Sequence, residues 1–409
     1  GDAWPQCRLA SEAPARGRSG AEMLSAAPVA ADCGLDAQLW RRPWPMEKHF
    51  YEVMVRRERV RVRREVHGLP REEWCSGDET MRTVRLMNVR REHDRTTRSM
   101  RGLCSGAVDE RWRRAQEAAP AGAWSPEQRR LAALLVFNFA LWRAFGTEAF
   151  ARSVGFLDDL LEWGEAEQVR VARAALRVWR GGLCCFTDAY SPARFHRHAE
   201  MRPRGGDWEQ AVWARYCAVC RKLRRVWDQR QVIADAAERT RSWEQTTRRL
   251  MRVKGYGGTG FLAKEIMQDL LHTPVFSVWE PGKGWRCVCY DVNDWCPMGP
   301  GARRGLNRIQ GRPTGFGVTK CTPRLQRHFM HEALRLFSLR HELWPPEIEG
   351  AAAGELELHD VQYSLCEFDK YERARLRQGF ARRYVPRGEG PEVLHDVPPA
   401  PLPAPRRAR

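Results

Sequence analysis

The chain has 409 residues, of which 43% are hydrophobic, so it can bury a sizeable core as one large domain with tails or as two or three domains. Its 69 Lys and Arg residues outnumber its 51 Asp and Glu residues, which gives a formal net charge of +18. This charge predicts a polyanionic partner, with nucleic acid as the first candidate and an anionic membrane surface as the second. No segment approaches the roughly 20 consecutive apolar residues of a membrane span.

Thirteen cysteines are spaced irregularly, which is not typical of a secreted disulfide framework and favours a reducing compartment. If the polyanion is DNA, the nucleus is the expected location. Neither the CxxC pair at Cys217 and Cys220 nor the later group that begins at Cys287 matches a tetrahedral zinc site or a four-cysteine iron–sulfur centre. We therefore predict buried thiols, no metal site and no cofactor.

In chain order, residues 1–45 are rich in Ala, Pro, Gly and Arg without periodicity and are predicted to be disordered. Residues 46–385 show helical periodicity nearly throughout and predict one all-α, multi-helix domain. Within it, "GWRCVCYDV", residues 284–292, alternates enough to form one arm of at most one short β-hairpin. Residues 386–409 contain seven prolines and a basic end, which predicts a polyproline-like tail.

The clearest helix is predicted for "SPEQRRLAALLVFNFALWRAFG", residues 125–146. Ser125 is a suitable N-cap, Pro126 fits the first helical position, and Gln128 completes a capping box. The segment is apolar on most sides, which predicts a buried helix, and Gly146 is expected to end it. Asp207 is predicted to begin another amphipathic helix, and residues 327–343 a further one.

Two glycine-rich stretches interrupt the helical pattern. "PMGPGARRGLNRI", residues 297–309, matches the helix-hairpin-helix pattern of an apolar residue, Gly-x-Gly and a small residue four positions on. Glycines let the backbone approach a phosphate closely, and the backbone amides at the start of the next helix attract that phosphate. The stretch therefore predicts binding to DNA phosphates. The alternative interpretation is a helix end followed by a loop. The DNA-binding candidates here are Gly299, Gly301, Arg303, Arg304, Asn307 and Arg308.

The other stretch, "VKGYGGTGFLAKEI", residues 253–266, is less regular and is also compatible with a flexible turn. It adds the DNA-binding candidates Lys254, Gly255 and Gly257. It is not a Walker loop, because Phe261 stands where the lysine would be. Phosphoryl transfer from a nucleoside triphosphate therefore has no visible machinery in this chain.

Charged residues are concentrated in two further segments. In "RLMNVRREHDRTTRSMRG", residues 85–102, Asp94 lies four positions from Arg90 and Arg98, which favours a self-neutralising surface ladder over an arginine fork for phosphates. "DVQYSLCEFDKYERARLRQG", residues 360–379, is predicted to be a helix with Asp360 as its N-cap. Its charged side chains either form a solvent-exposed face of the helix or include catalytic residues.

Several of these segments occur in an order that resembles a known family: "NVRREHDRTTR", "LWRAFGTEAF", "CCFTDAYSPARF", "GYGGTGFLAKEI", "GPGARRGLNRI" and "HDVQYSLCEFDKYERAR". Together they resemble the helical domain associated with 5-hydroxymethyluracil DNA kinases and the related α-glutamyl/putrescinyl thymine pyrophosphorylases, over about residues 75–385. The resemblance implies a fold similar to helix-hairpin-helix DNA glycosylases and a role in thymine hypermodification, without separating the kinase-associated branch from the pyrophosphorylase branch.

If the pyrophosphorylase branch applies, the resemblance implies that an amine displaces pyrophosphate from an activated thymine methyl group on a flipped base. The catalytic candidates are Asp360, Glu367, Asp369 and Lys370. Pyrophosphate would be held by Arg90, Arg91 and Arg95, and the base would stack on Tyr190 or Tyr363.

The expected partner is double-stranded DNA, with a separate P-loop kinase or another base-modification enzyme as a further partner. Two alternatives stay open: a non-catalytic module that binds modified DNA, and a monofunctional glycosylase. A lyase-type glycosylase is disfavoured, because Arg303 occupies the position of the nucleophilic lysine and stays protonated.

Overall fold

A computed structural model describes residues 42–75, 77–84, 86–117, 123–187, 207–280 and 284–378. The predicted tail at 386–409 lies outside these ranges, as does all but residues 42–45 of the predicted N-terminal disordered segment. The described chain is predominantly helical, which confirms the all-α prediction.

The helices of the described residues are α1 (Glu47–Arg61), α2 (Arg71–Trp74), α3 (Glu79–Thr83), α4 (Arg95–Glu117), α5 (Pro126–Phe145), α6 (Glu148–Val154), α7 (Glu165–Arg180), α8 (Asp207–Thr240), α9 (Trp243–Met251), α10 (Phe261–Leu270), α11 (Pro300–Ile309), α12 (Pro323–Ser338), α13 (Arg340–Leu343) and α14 (Leu358–Arg375). A π-helical turn, Val62–Val66, extends α1, and a 3-10 turn, Arg91–His93, precedes α4.

Two antiparallel strand pairs accompany the helices. Strand β1 (Ser277–Glu280) pairs with β2 (Gly284–Cys287), with Ser277 opposite Cys287, and β2 is the hairpin arm that the sequence predicts. The pair β3 (Glu347–Ile348) and β4 (Ala351–Ala352) is not predicted by the sequence. Each of its strands has two residues, too few for a period-2 pattern to be recognised.

Helix α5 begins and ends where its sequence predicts. Ser125 Oγ accepts a hydrogen bond from the Gln128 amide at 3.1 Å, and Gln128 Oε1 accepts one from the Ser125 amide at 2.8 Å, which completes the capping box. Gly146 ends the helix in the left-handed conformation, with φ of 95°. Nearly every residue from Leu131 to the end of the helix is buried, so α5 is the central helix of the first core.

Buried apolar side chains form two clusters. The first surrounds α5 and is formed by α4 to α10 and the segments between them; it includes Trp142, Trp163 and Trp179. The second joins α1, α11, α12 and α14, with Phe50 and Phe368 packed edge to face at 5.5 Å between ring centroids. Helices α10 and α14, one from each cluster, meet through polar side chains.

A buried layer of charges connects α10 to α14. Glu265 on α10 pairs with two cations: its Oε2 lies 2.8 Å from Arg91 Nη2 and its Oε1 lies 2.8 Å from Lys264 Nζ. Arg91 also donates to Asp94 at 3.0 Å, and Lys264 donates to Gln362 of α14 at 2.9 Å. Burial alone would raise the pKa of Glu265, but Arg91 and Lys264 hold it well below its usual range, so the carboxylate stays ionised.

A second buried ion pair fixes α10 against the first core. Arg143 of α5 binds Asp269 through two parallel hydrogen bonds of 2.5 and 2.6 Å and also donates to Thr97 of α4 at 2.9 Å. Bidentate pairing satisfies both charges inside the protein and fixes their orientation. Helix α10 is therefore held on both sides by buried ion pairs.

Helices α11 and α14 pack at unusually short range because two glycines of α11 face α14. A Cβ atom on Gly301 would lie 2.8 Å from Cys366 Sγ, and one on Gly305 would lie 2.2 Å from the carbonyl oxygen of Leu365. Any side chain at Gly305 would therefore push the two helices apart. The small-residue spacing of this stretch serves close helix packing in the structure.

This packing predicts that Gly305→Ala destabilises the protein although alanine is the better helix former. We expect a loss of about 1–3 kcal/mol in the free energy of unfolding, since the added methyl group overlaps backbone atoms that must move. Urea unfolding followed by circular dichroism measures the change. Gly102→Ala is the control: Gly102 lies within α4, and no atom lies within 4 Å of the place that the new methyl group would take, so this substitution should be neutral or stabilising. Equal effects of both substitutions would contradict the packing role.

Asp94 predicts a pH dependence of stability. Burial raises its pKa to about 6 despite the opposing attraction of Arg91, compared with about 3.9 in an unfolded chain. Between pH 4 and pH 6, approximately, Asp94 is protonated in the folded state but ionised in the unfolded state. Protonation of Asp94 therefore stabilises the fold at low pH, and this stabilisation is lost as the pH rises from about 4 to 6. The free energy of unfolding of the wild type minus that of Asp94→Asn should therefore fall by up to about 3 kcal/mol across this window and be constant above it. Denaturant unfolding at a series of pH values measures it, and a difference that rises or stays flat would contradict the assignment.

Candidate functional site

The predicted catalytic helix exists as α14, but its N-cap is Glu357 and not Asp360. Asp360 occupies the third helical position, where its Oδ2 accepts a hydrogen bond from the Glu357 amide at 3.1 Å, and its own amide donates to the Glu357 carbonyl at 3.0 Å. Asp360 also accepts a hydrogen bond from the Arg91 amide at 3.3 Å and is 4% exposed. Burial raises its pKa to about 7.

Glu367 and Lys370, two further catalytic candidates, form an ion pair with each other. Lys370 Nζ lies 2.5 Å from Glu367 Oε1, and the other carboxylate oxygen accepts a hydrogen bond from the Met87 amide at 3.1 Å. Burial opposes ionisation, but Lys370 and Arg57 lower the pKa of Glu367 below its usual value. The carboxylate is therefore ionised, 1% exposed and engaged at both oxygens.

Asp369, the fourth catalytic candidate, connects α14 to α11. Its two oxygens accept hydrogen bonds from Arg304 Nε and Arg308 Nε, each at 2.8 Å, and Arg373 lies 3.5 Å away. The carboxylate is 1% exposed. Its geometry is that of a helix–helix ion pair.

The predicted phosphate-binding stretch at 297–309 is largely packed inside the protein. Arg303 is 1% exposed and donates to the Gly317 carbonyl at 2.6 Å, and buried Asn307 donates to the Thr314 and Phe316 carbonyls at 3.1 and 2.9 Å. These two side chains hold the 314–317 loop instead of pointing to solvent.

The remaining candidates of this stretch are also largely enclosed. Gly299 is buried beside Phe261, and Gly301 faces α14. Arg308 keeps 9% of its side chain exposed and Arg304 keeps 34%. The structure therefore differs from the expected open Gly-x-Gly bend, because the glycines admit a neighbouring helix at the position where we expected a phosphate.

The other glycine stretch forms an exposed turn between α9 and α10, at residues 252–260. Arg252, Lys254, Gly255 and Gly258 are exposed, while Val253 and Tyr256 are buried beneath them. Gly255 has φ of 104°, a conformation that other residues avoid, and a Cβ on Gly257 would lie 2.7 Å from the Met251 carbonyl oxygen. The turn borders a shallow groove of about 370 Å³.

The three predicted pyrophosphate-binding arginines contact different partners. Arg90 pairs with Glu92, Arg95 pairs with Glu148, and Arg91 is buried in the charged layer between α10 and α14. They do not share one helix face, because the 3-10 turn at residues 91–93 precedes α4, which begins at Arg95.

Of the predicted stacking residues, Tyr363 is 5% exposed and its hydroxyl accepts a hydrogen bond from Arg91 at 3.3 Å. The Arg91 guanidinium and the Lys264 ammonium each lie 5.3 Å from the centroid of its ring, so the ring packs against the charged layer. Tyr190 lies outside the described residues.

Sequence reasoning missed the residues that surround Asp360. His359 Nε2 lies 3.1 Å from Glu357 Oε2 and 3.6 Å from Asp360 Oδ1, and Lys264 and Glu265 reach this region from α10. The available signal was the set of polar residues in "GFLAKEIMQDLL", residues 260–271, where Lys264, Glu265, Gln268 and Asp269 alternate with apolar residues, because polar groups on a buried helix require partners.

The chain matches a known protein family over most of its helical part. The family model described as "5-hmdU DNA kinase, helical domain" matches residues 127–379, which is more than half of the 409 residues and includes α5, the 252–260 turn, α10 and α14. No curated protein and no solved structure matches the chain significantly. Among the residues that the structure describes, no helix is both long and apolar enough to span a bilayer. The chain therefore belongs to the family of 5-hmdU DNA kinase helical domains.

Proposed function

We propose that this chain binds duplex DNA through the 252–260 turn and acts in the hypermodification of thymine or 5-hydroxymethyluracil in that DNA. The observation that supports this most directly is the exposed turn itself, where Arg252 and Lys254 flank a glycine backbone directly before α10. Family membership supports the hypermodification context.

The turn has the physical properties that a phosphate site requires. Gly255 and Gly258 present backbone without side chains, so a phosphate oxygen can approach closely. Helix α10 begins immediately after Gly260, and the amides of its first turn carry the positive end of the helix dipole. Arg252 and Lys254 add two exposed cations. Contacts of this kind position a duplex without reading its sequence.

Helix α10 links this turn to the interior. Its N-terminal end follows the turn, and its Lys264 and Glu265 belong to the charged layer that contacts α14. Since buried ion pairs fix α10 on both sides, a phosphate held at the turn is held at a defined position relative to Asp360. A bound duplex would therefore be oriented with respect to the acids of α14.

Within this function we favour a DNA-binding module that recognises modified DNA and delivers it to a separate P-loop kinase or another modification enzyme. Glu367 and Asp369 are each engaged by cations, which leaves little carboxylate free for proton transfer. Arg90, Arg91 and Arg95 engage separate partners rather than one anion. The nucleus is the expected location of such a module in a cell that has one.

One observation favours a second candidate function, a base-modifying transferase. The pKa of Asp360 is raised to about 7, where a carboxylate is an effective general base at neutral pH. An amine would form a C–N bond to the activated thymine methyl carbon, the C–O bond to pyrophosphate would break, and pyrophosphate would leave with the electron pair. Asp360 would accept the proton that the amine releases.

An assay on duplex DNA that contains 5-hydroxymethyluracil, or its pyrophosphorylated form with an added amine, separates the candidates. We expect binding without new products from a DNA-binding module. New base adducts with released pyrophosphate, lost in Asp360→Asn at unchanged DNA affinity, would establish the transferase instead. Abasic sites would identify a monofunctional glycosylase, and absence of DNA binding would refute the proposal in all its forms.

The turn predicts a specific salt dependence. Arg252→Ala combined with Lys254→Ala should reduce the slope of log affinity against log salt concentration by about 2, because each lost phosphate contact removes about one released counterion. Fluorescence anisotropy with a labelled duplex at several salt concentrations measures the slope.

The matched control is Arg173→Ala combined with Arg177→Ala, which removes two exposed cations from α7. This pair should leave the slope within the error of the wild type. If both double variants lower the slope equally, binding follows net charge alone and the turn has no special role.

A further inference from the structure

The N-terminus of α14 brings together three side chains that can ligate a metal ion. One ligand atom from each of Glu357, His359 and Asp360 lies within 4.8 Å of the other two. The group is open on one side, since the Glu357 side chain is 33% exposed, whereas His359 is 2% exposed. It therefore combines a route from solvent with a desolvated interior.

A second observation, on α10, is a buried polar side chain without a partner. Gln268 is 0% exposed, and neither its amide nitrogen nor its amide oxygen has a hydrogen-bond partner among the described residues. A buried primary amide without partners costs free energy, so its presence calls for an explanation.

Helical spacing shows which way Gln268 faces. Lys264 and Gln268 are four residues apart and therefore lie along one face of α10. Lys264 on this face donates to Gln362 of α14, and both Lys264 and His272, which follows the helix, interact electrostatically with His359. Gln268 lies between these two positions in the chain and, like Lys264, on the side of α10 that faces α14.

Two imidazole nitrogens in this region are also without a partner among the described residues, Nδ1 of His359 and Nε2 of His272. Unpartnered polar atoms thus occur on α14, on α10 and on the segment that follows α10. Such atoms are normally satisfied by protein, water or a bound ion.

We propose that Glu357, His359 and Asp360 bind one divalent transition-metal ion such as Mn²⁺. In this proposal Gln268 hydrogen-bonds a water molecule on that ion. One imidazole and two carboxylates are a donor set for Mn²⁺, Fe²⁺ or Zn²⁺, whereas thiolate-preferring ions would use cysteine. A divalent cation offsets the repulsion between the two carboxylates. The site does not depend on the proposed DNA-binding function.

Mn²⁺ is the appropriate probe, because Zn²⁺ would also bind cysteine thiols of the chain. Titration of the full chain with MnCl₂, followed by the electron paramagnetic resonance signal of free Mn²⁺, gives stoichiometry and affinity in the absence of DNA. We expect one saturable Mn²⁺ per chain in the wild type. Mn²⁺ should also raise the melting temperature, since it binds the folded state.

Glu357→Gln and Asp360→Asn are the test variants. Both keep the size and shape of the side chain while removing one negative charge from the site, and Asp360→Asn keeps an oxygen that can accept from the Glu357 amide. Each should lower Mn²⁺ affinity at least about tenfold and abolish the rise in melting temperature. Because Glu357 is partly exposed, Glu357→Gln carries the test if Asp360→Asn fails to fold.

Glu355→Gln is the matched control, since Glu355 is exposed and lies two residues before Glu357 on the same segment. It removes the same charge and should leave Mn²⁺ affinity unchanged. The proposal is overturned if the wild type shows no saturable Mn²⁺ binding, if Glu357→Gln binds like the wild type, or if Glu355→Gln loses affinity to the same extent.

Discussion

The position of Glu265 between Arg91 and Lys264 determines how the two apolar cores meet. A buried carboxylate is strongly unfavourable without cations, and Arg91 and Lys264 are the two cations that pair with Glu265. Since Arg91 also pairs with Asp94 and Lys264 also donates to Gln362, these contacts favour one arrangement of α10, α14 and the segment before α4. Apolar packing alone would allow the helices to slide, whereas this layer allows little displacement.

The two glycine stretches show that one sequence pattern serves two physical purposes. In α11, Gly301 and Gly305 remove side chains so that the backbone of α14 can approach, and Asp369 with its two arginines then fixes the contact. In the 252–260 turn, Gly255 is needed for its positive φ and is exposed. Spacing alone favours the first stretch as a phosphate site, but exposure favours the second.

Local signals in the sequence are sufficient for helices but not for the candidate site. The capping box of Ser125 and Gln128 depends on residues three apart, so the sequence predicts it directly. The sequence alone favours Asp360 as the N-cap of α14 because aspartate is a common cap, whereas Glu357, a less common capping residue, takes that position and its amide donates to Asp360. The pairing of Glu265 with Arg91 joins positions far apart in the chain, and no local pattern encodes it.

Helix α10 also connects the two functional proposals, because the 252–260 turn precedes its first residue and its Lys264 contacts α14. Asp360 on α14 is 4% exposed and therefore lies beneath the protein surface. A base that remained within the duplex would not reach the acids, so any chemistry on a base at Asp360 requires that base to be extruded, as enzymes acting on single bases do. DNA binding at the turn does not require an extruded base, and we therefore favour DNA binding over base modification as the function.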